Sequence, residues 1–161
     1  DALEVASLDR PARRWLGRHV LIHSAPFGPV GALDPIPAYR LGSATSLPGL
    51  ASLRAVWARA VTAALESSPP GFVLDLRSEA YVALGPVPDT VASTYVRVVS
   101  EGSDGAVRAL NHFNKHAKGV LVRRLALDRP RITSSAGFAR WAKDAGVRVR
   151  AGVDGAVELF A

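Results

Sequence analysis

The sequence predicts a mixed α/β fold, a single compact domain with a mixed sheet flanked by helices and a terminal β-hairpin. Three observations carry this. Apolar residues recur at helical spacing around 50–66 and 114–127. Short alternating or continuous apolar runs stand at 18–25, 72–76 and 93–101. Turn chemistry separates these segments, with no internal repeat and no linker to divide the 161 residues. Strand order is not readable from these patterns.

In chain order, Ser7 is expected to cap a helix from about Leu8 to Leu16, with Pro11 tolerated in its first turn. RHVLIHSA (18–25) reads as a strand. Four prolines and three glycines between Pro26 and Gly42 predict a packed irregular loop, anchored by Phe27, Val30, Leu33 and Ile36. Leu50, Leu53, Trp57, Val61, Ala64 and Leu65 predict an amphipathic helix that Pro69 and Pro70 terminate. FVLDL (72–76) is a short strand, apolar enough to be buried on both faces. RSEAYVAL (77–84) follows as a short helix with Ser78 as its cap. STYVRVVSE (93–101) alternates as a strand, and Ser103-Asp104-Gly105 turns it back into AVRALNHF. Asn114 to Leu127 is a second strong helix. Thr133 or Ser134 caps a third, which ends at Gly146. The tail forms a hairpin about Asp154-Gly155.

Charge gives the first functional signal. The chain has 20 Lys+Arg against 14 Asp+Glu, a net charge of +6. Eleven basic residues and two acids lie between Arg108 and Arg150, so this stretch carries +9 and the rest of the chain −3. A basic segment on a mildly acidic remainder points to a polyanion-binding face. The absence of cysteine excludes thiol catalysis and cysteine-based metal or disulfide chemistry. No apolar run reaches the roughly 18–20 residues that span a bilayer. Neither a nucleophile elbow nor a glycine-rich phosphate loop is present.

Four constellations remain. On a helix through NHFNKHAKGVLVRR, the residues Lys115, Lys118, Gly119 and Arg123 are expected to cluster on one accessible side. Phe113, Ala117, Leu121 and Leu125 then face the core. Gly119 costs such a helix about 1 kcal/mol relative to Ala, a cost that close approach of a backbone or ligand would explain. His112 and His116 stand four apart, but without a third ligand type nearby no metal and no cofactor are expected. Asp75, Arg77 and Glu79 lie where a strand runs into a helix, either as a site or as a local ion-pair and capping arrangement. Tyr39-Arg40 joins an aromatic to a cation suited to phosphate or base.

Three segments in this order resemble the YaaA family of peroxide stress proteins: SAPFGPVGALDPIPAYRL (24–41), VLDLRSEAYVAL (73–84) and HFNKHAKGVLVRRLAL (112–127). The resemblance continues through GFARWAKDAGVRV and makes the chain similar to the C-terminal two-thirds of such a protein. It implies a cytoplasmic bacterial protein that binds double-stranded DNA and protects against hydrogen peroxide, in part by limiting free iron. Carried over by position, it implies Tyr39, Arg40, Arg77, Ser78, Tyr81, Lys115, Lys118 and Arg123 as binding residues. A further partner is expected in the family's N-terminal segment, and none in a membrane.

The leading expectation is a nucleic-acid-binding module in which Lys115, Lys118, Arg123 and Arg124 contact phosphates without reading sequence. Its rival is an enzyme of unknown reaction holding a nucleotide or other phosphate-bearing small ligand. That site would be built from Tyr39-Arg40, residues 75–81 and the Lys115 helix.

Overall fold

The computed structural model describes residues 2–102, 106–109 and 114–161. Packing divides the chain into two compact units. Unit 1 comprises Asp1–Arg13, Phe72–Leu76 and Ala92–Ala161; unit 2 comprises Arg14–Gly71 and Arg77–Val91.

The division falls inside the first helix, α1 (Arg10–His19). Its cap is not Ser7. The Asp9 carboxylate accepts from the Ala12 amide at 2.7 Å, while the Ser7 hydroxyl donates to the Glu4 carbonyl. Asp in this position also complements the helix dipole.

Unit 1 is built on a five-stranded mixed sheet: β3 (Val73–Asp75), β4 (Ser93–Glu101), β5 (Val107–Ala109), β6 (Val149–Ala151) and β7 (Val157–Phe160). Strand β4 is central. It runs parallel to β3 through Val73↔Ser93 and Asp75↔Tyr95, and parallel to β7 through Val96↔Val157 and Val99↔Phe160. It also pairs antiparallel with β5 through Val99↔Ala109. Because Val99 faces both β5 and β7, β5 extends the edge of β4 that β3 occupies lower down. Alternation along β4 buries Thr94, Val96 and Val98 on one side. Their register partners on β7, Val157 and Leu159, are buried with them.

Between β4 and β6 come α4 (Asn114–Asp128), packed on β4, and α5 (Ser135–Asp144), packed on β6. Together they bury Leu121, Leu125, Ala126, Phe138 and Ala142. Ser134 is the α5 cap, accepting from the Gly137 amide at 3.1 Å. The β6–β7 hairpin turns at Asp154 and Gly155, both at positive φ, as the Asp-Gly pair predicts. The expected turn at Ser103-Asp104-Gly105 lies outside the described residues.

Unit 2 contains a two-stranded antiparallel ribbon, β1 (Leu21–Ser24) and β2 (Gly28–Gly31), with α2 (Leu53–Ser67) and the short α3 (Glu79–Val82). The ribbon overturns the expectation of wholly irregular structure after Pro26. In a two-stranded ribbon each strand has an unpaired edge, so Pro29 costs no ladder bond there. Helix α2 is capped by Ser52, which accepts from Ala55 at 3.2 Å. No helix among the described residues is long and apolar enough to cross a membrane.

Candidate functional site

The predicted binding residues fall into both units, and each unit forms a cluster of its own.

In unit 2, the turn after β1 is fixed first. Ser24 is buried and accepts from the Phe27 amide at 3.3 Å. The Trp57 indole donates to the Ala25 carbonyl at 2.9 Å and covers Gly28. Gly28 has φ +69, and a Cβ there would come within 2.8 Å of the Trp57 ring, so both backbone and space require glycine. Ala25, Leu53 and Leu84 form the core beneath, with Leu41, Trp57 and Tyr81 packed against it.

This frame holds His23 at the end of β1. Arg77 Nη1 lies 3.2 Å from His23 Nδ1 and donates to the Gly85 carbonyl at 2.8 Å. A guanidinium has only donors, so His23 Nδ1 accepts, and the neutral ring carries its proton on Nε2. The Tyr81 ring meets His23 edge-on, with centroids 5.9 Å apart. Burial pushes the Tyr81 phenol above its ordinary value of 10, and the neighbouring charge of Tyr39 adds to the rise. Tyr81 is therefore a neutral hydrogen-bond donor at physiological pH. Tyr39 stands edge-to-face with Phe27 at 5.6 Å, both exposed, and Arg40 beside it is exposed too. Ser78 occupies the N-cap of α3 without its hydroxyl bonding the helix amides.

The structure thus joins Arg77 and Tyr81 around His23, which the sequence reading did not single out as a site residue. Its signal was an imidazole at the end of an apolar strand, just before a Ser-Ala-Pro turn.

In unit 1, α4 departs from the expected layout. Lys118 is not on an accessible face: it is 7% exposed, and its Nζ lies 5.2 Å from the centroid of the Tyr95 ring. The reason is angular. Lys118, Leu121 and Leu125 stand at i, i+3 and i+7, within about 60° of one another on a helix, and all three are buried. The long methylene stem makes such burial tolerable for a lysine. Asp75, also 7% exposed, faces Tyr95 in the β3–β4 register and shares its side of the sheet. Lys118 and Asp75 are thus both buried in this unit, the first beside the Tyr95 ring and the second opposite Tyr95 in the register. Tyr95 was legible only as one position of an alternating strand.

Gly119 answers the question its helical cost posed. A Cβ there would come within 2.8 Å of the Ala2 Cβ, so the glycine admits the N-terminal segment. Arg123 clamps that segment, donating to the Leu3 and Glu4 carbonyls at 3.0 and 3.1 Å, with the Glu4 carboxylate 3.4 Å away. Arg124 pairs with Asp128 at 2.8 Å, and the Trp141 indole donates to the same carboxylate at 3.2 Å. Lys115 is exposed. His112 and Phe113 lie outside the described residues.

The remaining cations of unit 1 are displayed outward. Arg129, Arg131, Arg140, Lys143, Arg148 and Arg150 are all exposed. Arg148 pairs with Glu101 and lies over the Phe160 ring; Arg150 pairs with Glu158 at 2.6 Å. Between α5 and β6 an open depression is lined by Ser135, Ala136 and Ala139 on the helix, and Lys143, Arg148 and Arg150 bring three cations to its wall. Among the described residues no group of three or more His, Asp or Glu is placed to hold a metal ion.

Residues 1–145 match the family described as peroxide stress protein YaaA. A UPF0246 protein of Corynebacterium glutamicum is 44% identical over 131 residues, which cover 79% of this chain and 50% of that protein. A UPF0246 protein of Streptomyces coelicolor is 41% identical over 128 residues, covering 78% of this chain and 48% of its own length. One of Methylibium petroleiphilum is 32% identical over 138 residues, 81% of this chain and 54% of the relative. The chain spans about half the length of the curated relatives it matches. The order and spacing of the three polar segments agree with this match: the chain belongs to the YaaA family of peroxide stress proteins.

Proposed function

We propose that this chain serves the peroxide stress response by binding duplex DNA, without sequence preference, through the outward cations of unit 1. One observation carries the reading: of the eleven basic residues between Arg108 and Arg150, nine are exposed. Lys115, Arg129, Arg131, Arg140 and Lys143 also have no ion pair among the described residues. Such groups can neutralise phosphates and release counterions at little cost in lost internal contacts.

The contact set differs from that expected of the sequence. Lys118 is spent inside the unit, and Arg123 and Arg124 are engaged by Glu4 and Asp128. The loop between α4 and α5, with Arg129 and Arg131, and the outer side of α5, with Arg140 and Lys143, take their place beside Lys115. The test is a salt series of duplex binding. Kd in the 10⁻⁴ to 10⁻⁶ M range, weakening steeply between about 50 and 200 mM salt, is expected for phosphate contacts of this kind. Binding indifferent to salt rejects the reading.

A further inference from the structure

We propose that the outer edge of β6, with the depression between it and α5, takes up an extended segment of a protein partner as an added strand, and that this segment alternates apolar and acidic residues. The DNA reading does not carry this, because it uses side-chain cations whereas the strand edge is backbone.

The argument starts from the register. Among the described residues β6 pairs with β7 alone and ends the path of the sheet. The Phe160 amide donates to the Arg148 carbonyl at 3.0 Å, and the Gly152 amide to the Ala156 carbonyl at 2.9 Å. Bonded residues alternate along an antiparallel ladder, so Arg148, Arg150 and Gly152 turn their backbone groups toward β7. Val149 and Ala151 turn theirs to the open side, where no hydrogen bond from a described residue meets them. Such an edge is a template for one more strand. From Arg148 to Gly152 it spans about 14 Å, at about 3.4 Å per residue.

The side chains on either side set the sequence of the incoming strand. Alternation puts Val149 and Ala151 on the face of Leu159 and Val157, their buried register partners. On α5, Ala136, Ala139 and Lys143 stand at i, i+3 and i+7, within about 60° of one another, and all three are exposed. That helix stripe and β6 wall a depression of about 730 Å³ with a mostly apolar lining. Side chains of an added strand that point toward α5 enter it and are therefore apolar. Those that point the other way stand beside Arg148 and Arg150. Glu101 and Glu158 already pair with these arginines, yet both remain half exposed or more, and a guanidinium has more donors than one carboxylate takes. An acidic residue opposite either of them gains a cross-strand ion pair.

The same arginines disfavour a second copy of this chain as the occupant. Two β6 edges meeting antiparallel would set Arg150 against Arg150, or Arg148 against Arg150. A groove between an edge strand and a helix is a recurring seat for β-strand addition, in which main-chain bonds give affinity and alternate side chains give specificity.

The experiment titrates the chain with a fluorescein-labelled peptide, Thr-Glu-Val-Glu-Val-Glu-Thr, followed by anisotropy, and reads exchange of the Val149 and Ala151 amides by NMR. Both amides should exchange more slowly when the peptide is bound. A scrambled peptide of the same composition should bind about 10-fold more weakly or worse, and so should one with Lys for each Glu. Methylating one alternate set of peptide nitrogens should abolish binding, while methylating the other set should not. Ala151→Pro removes an outward N–H at a position where an edge strand admits proline, and should weaken binding by about 10-fold. If proline disturbs the hairpin, Ala139→Glu on the exposed helix stripe keeps the test open and should also weaken binding. Ala151→Pro should leave the salt slope of duplex binding unchanged.

Equal binding of the scrambled peptide would overturn the added strand and leave charge attraction alone. Binding that survives both variants intact would overturn the seat. Self-association of the peptide-free chain in sedimentation, lost in Ala151→Pro, would assign the edge to a second copy instead. Loss of duplex binding in Ala151→Pro would assign the groove to nucleic acid.

Discussion

The ammonium of Lys118 lies 5.2 Å from the centre of the Tyr95 ring, inside unit 1 and one turn along the same face from Leu121. A cation over an aromatic face is worth about 2 kcal/mol or more when desolvated, and this one is 7% exposed. The relationship joins α4 to β4 through a residue whose charge, in the sequence, argued for the surface.

Lys118→Ala should therefore lower stability by about 1–3 kcal/mol, the range for losing a buried polar contact together with its packing. Urea denaturation reads this as a fall in midpoint with unchanged slope. A neutral outcome would place the side chain in solvent and return it to the candidate DNA contacts.

Gly119→Ala makes a second test of α4. In an unconstrained helix interior this change gains about 1 kcal/mol. Here the new Cβ would meet Ala2 at 2.8 Å, so the gain should be cancelled. The amides around Leu3 and Glu4, whose carbonyls bind Arg123, should exchange faster. Full stabilisation with no change in exchange would contradict the docking of the N-terminal segment.

Gly28→Ala should destabilise unit 2 by more than the loss of glycine freedom alone. The residue sits at φ +69 and a Cβ would press on Trp57 at 2.8 Å. Strain of about 1–3 kcal/mol at such a backbone position adds to displacement of the indole from the Ala25 carbonyl. Thermal melting and Trp57 fluorescence should both report it.

Tyr81 sets a pH dependence at the alkaline end. Its folded value is raised above 10, by burial first and by Tyr39 second. Folding thus favours the protonated phenol. The contribution is fully present below the unfolded value and is lost as pH rises through the folded value. Stability should fall above about pH 10, and Tyr81→Phe should reduce that fall. Tyr39→Phe should lower the Tyr81 titration, followed by phenolate absorbance, yet leave it above 10.

Much of the fold was legible because local signals and tertiary packing agree. The strand expected over 93–101 is β4, its burial alternating as far as Val98, and the Asp-Gly hairpin and the Ser134 cap are where turn and cap chemistry put them. What was not legible depends on partners distant in sequence. Pro29 sits in a strand because the ribbon has two free edges, which no local rule reveals. Lys118 is buried because Tyr95, 23 residues earlier, offers its ring. Residue type suggested an exposed cation, while helical angle already grouped it with Leu121 and Leu125. Arg77 and Tyr81 meet at His23, 54 residues before Arg77, a contact that no local pattern reveals.

The most direct test of the DNA reading is the slope of log K against log salt for a non-specific duplex, measured on the parent chain and on three single variants. Five free phosphate contacts at Lys115, Arg129, Arg131, Arg140 and Lys143 give a slope of about −4 to −5. Arg131→Ala and Lys143→Ala should each reduce its magnitude by about one and weaken all duplexes alike. Lys118→Ala, assayed where it remains folded, should leave the slope unchanged. A slope that drops by one in Lys118→Ala but not in Arg131→Ala or Lys143→Ala would contradict the assignment of Lys118 to the interior and of the phosphate contacts to the outer cations of unit 1.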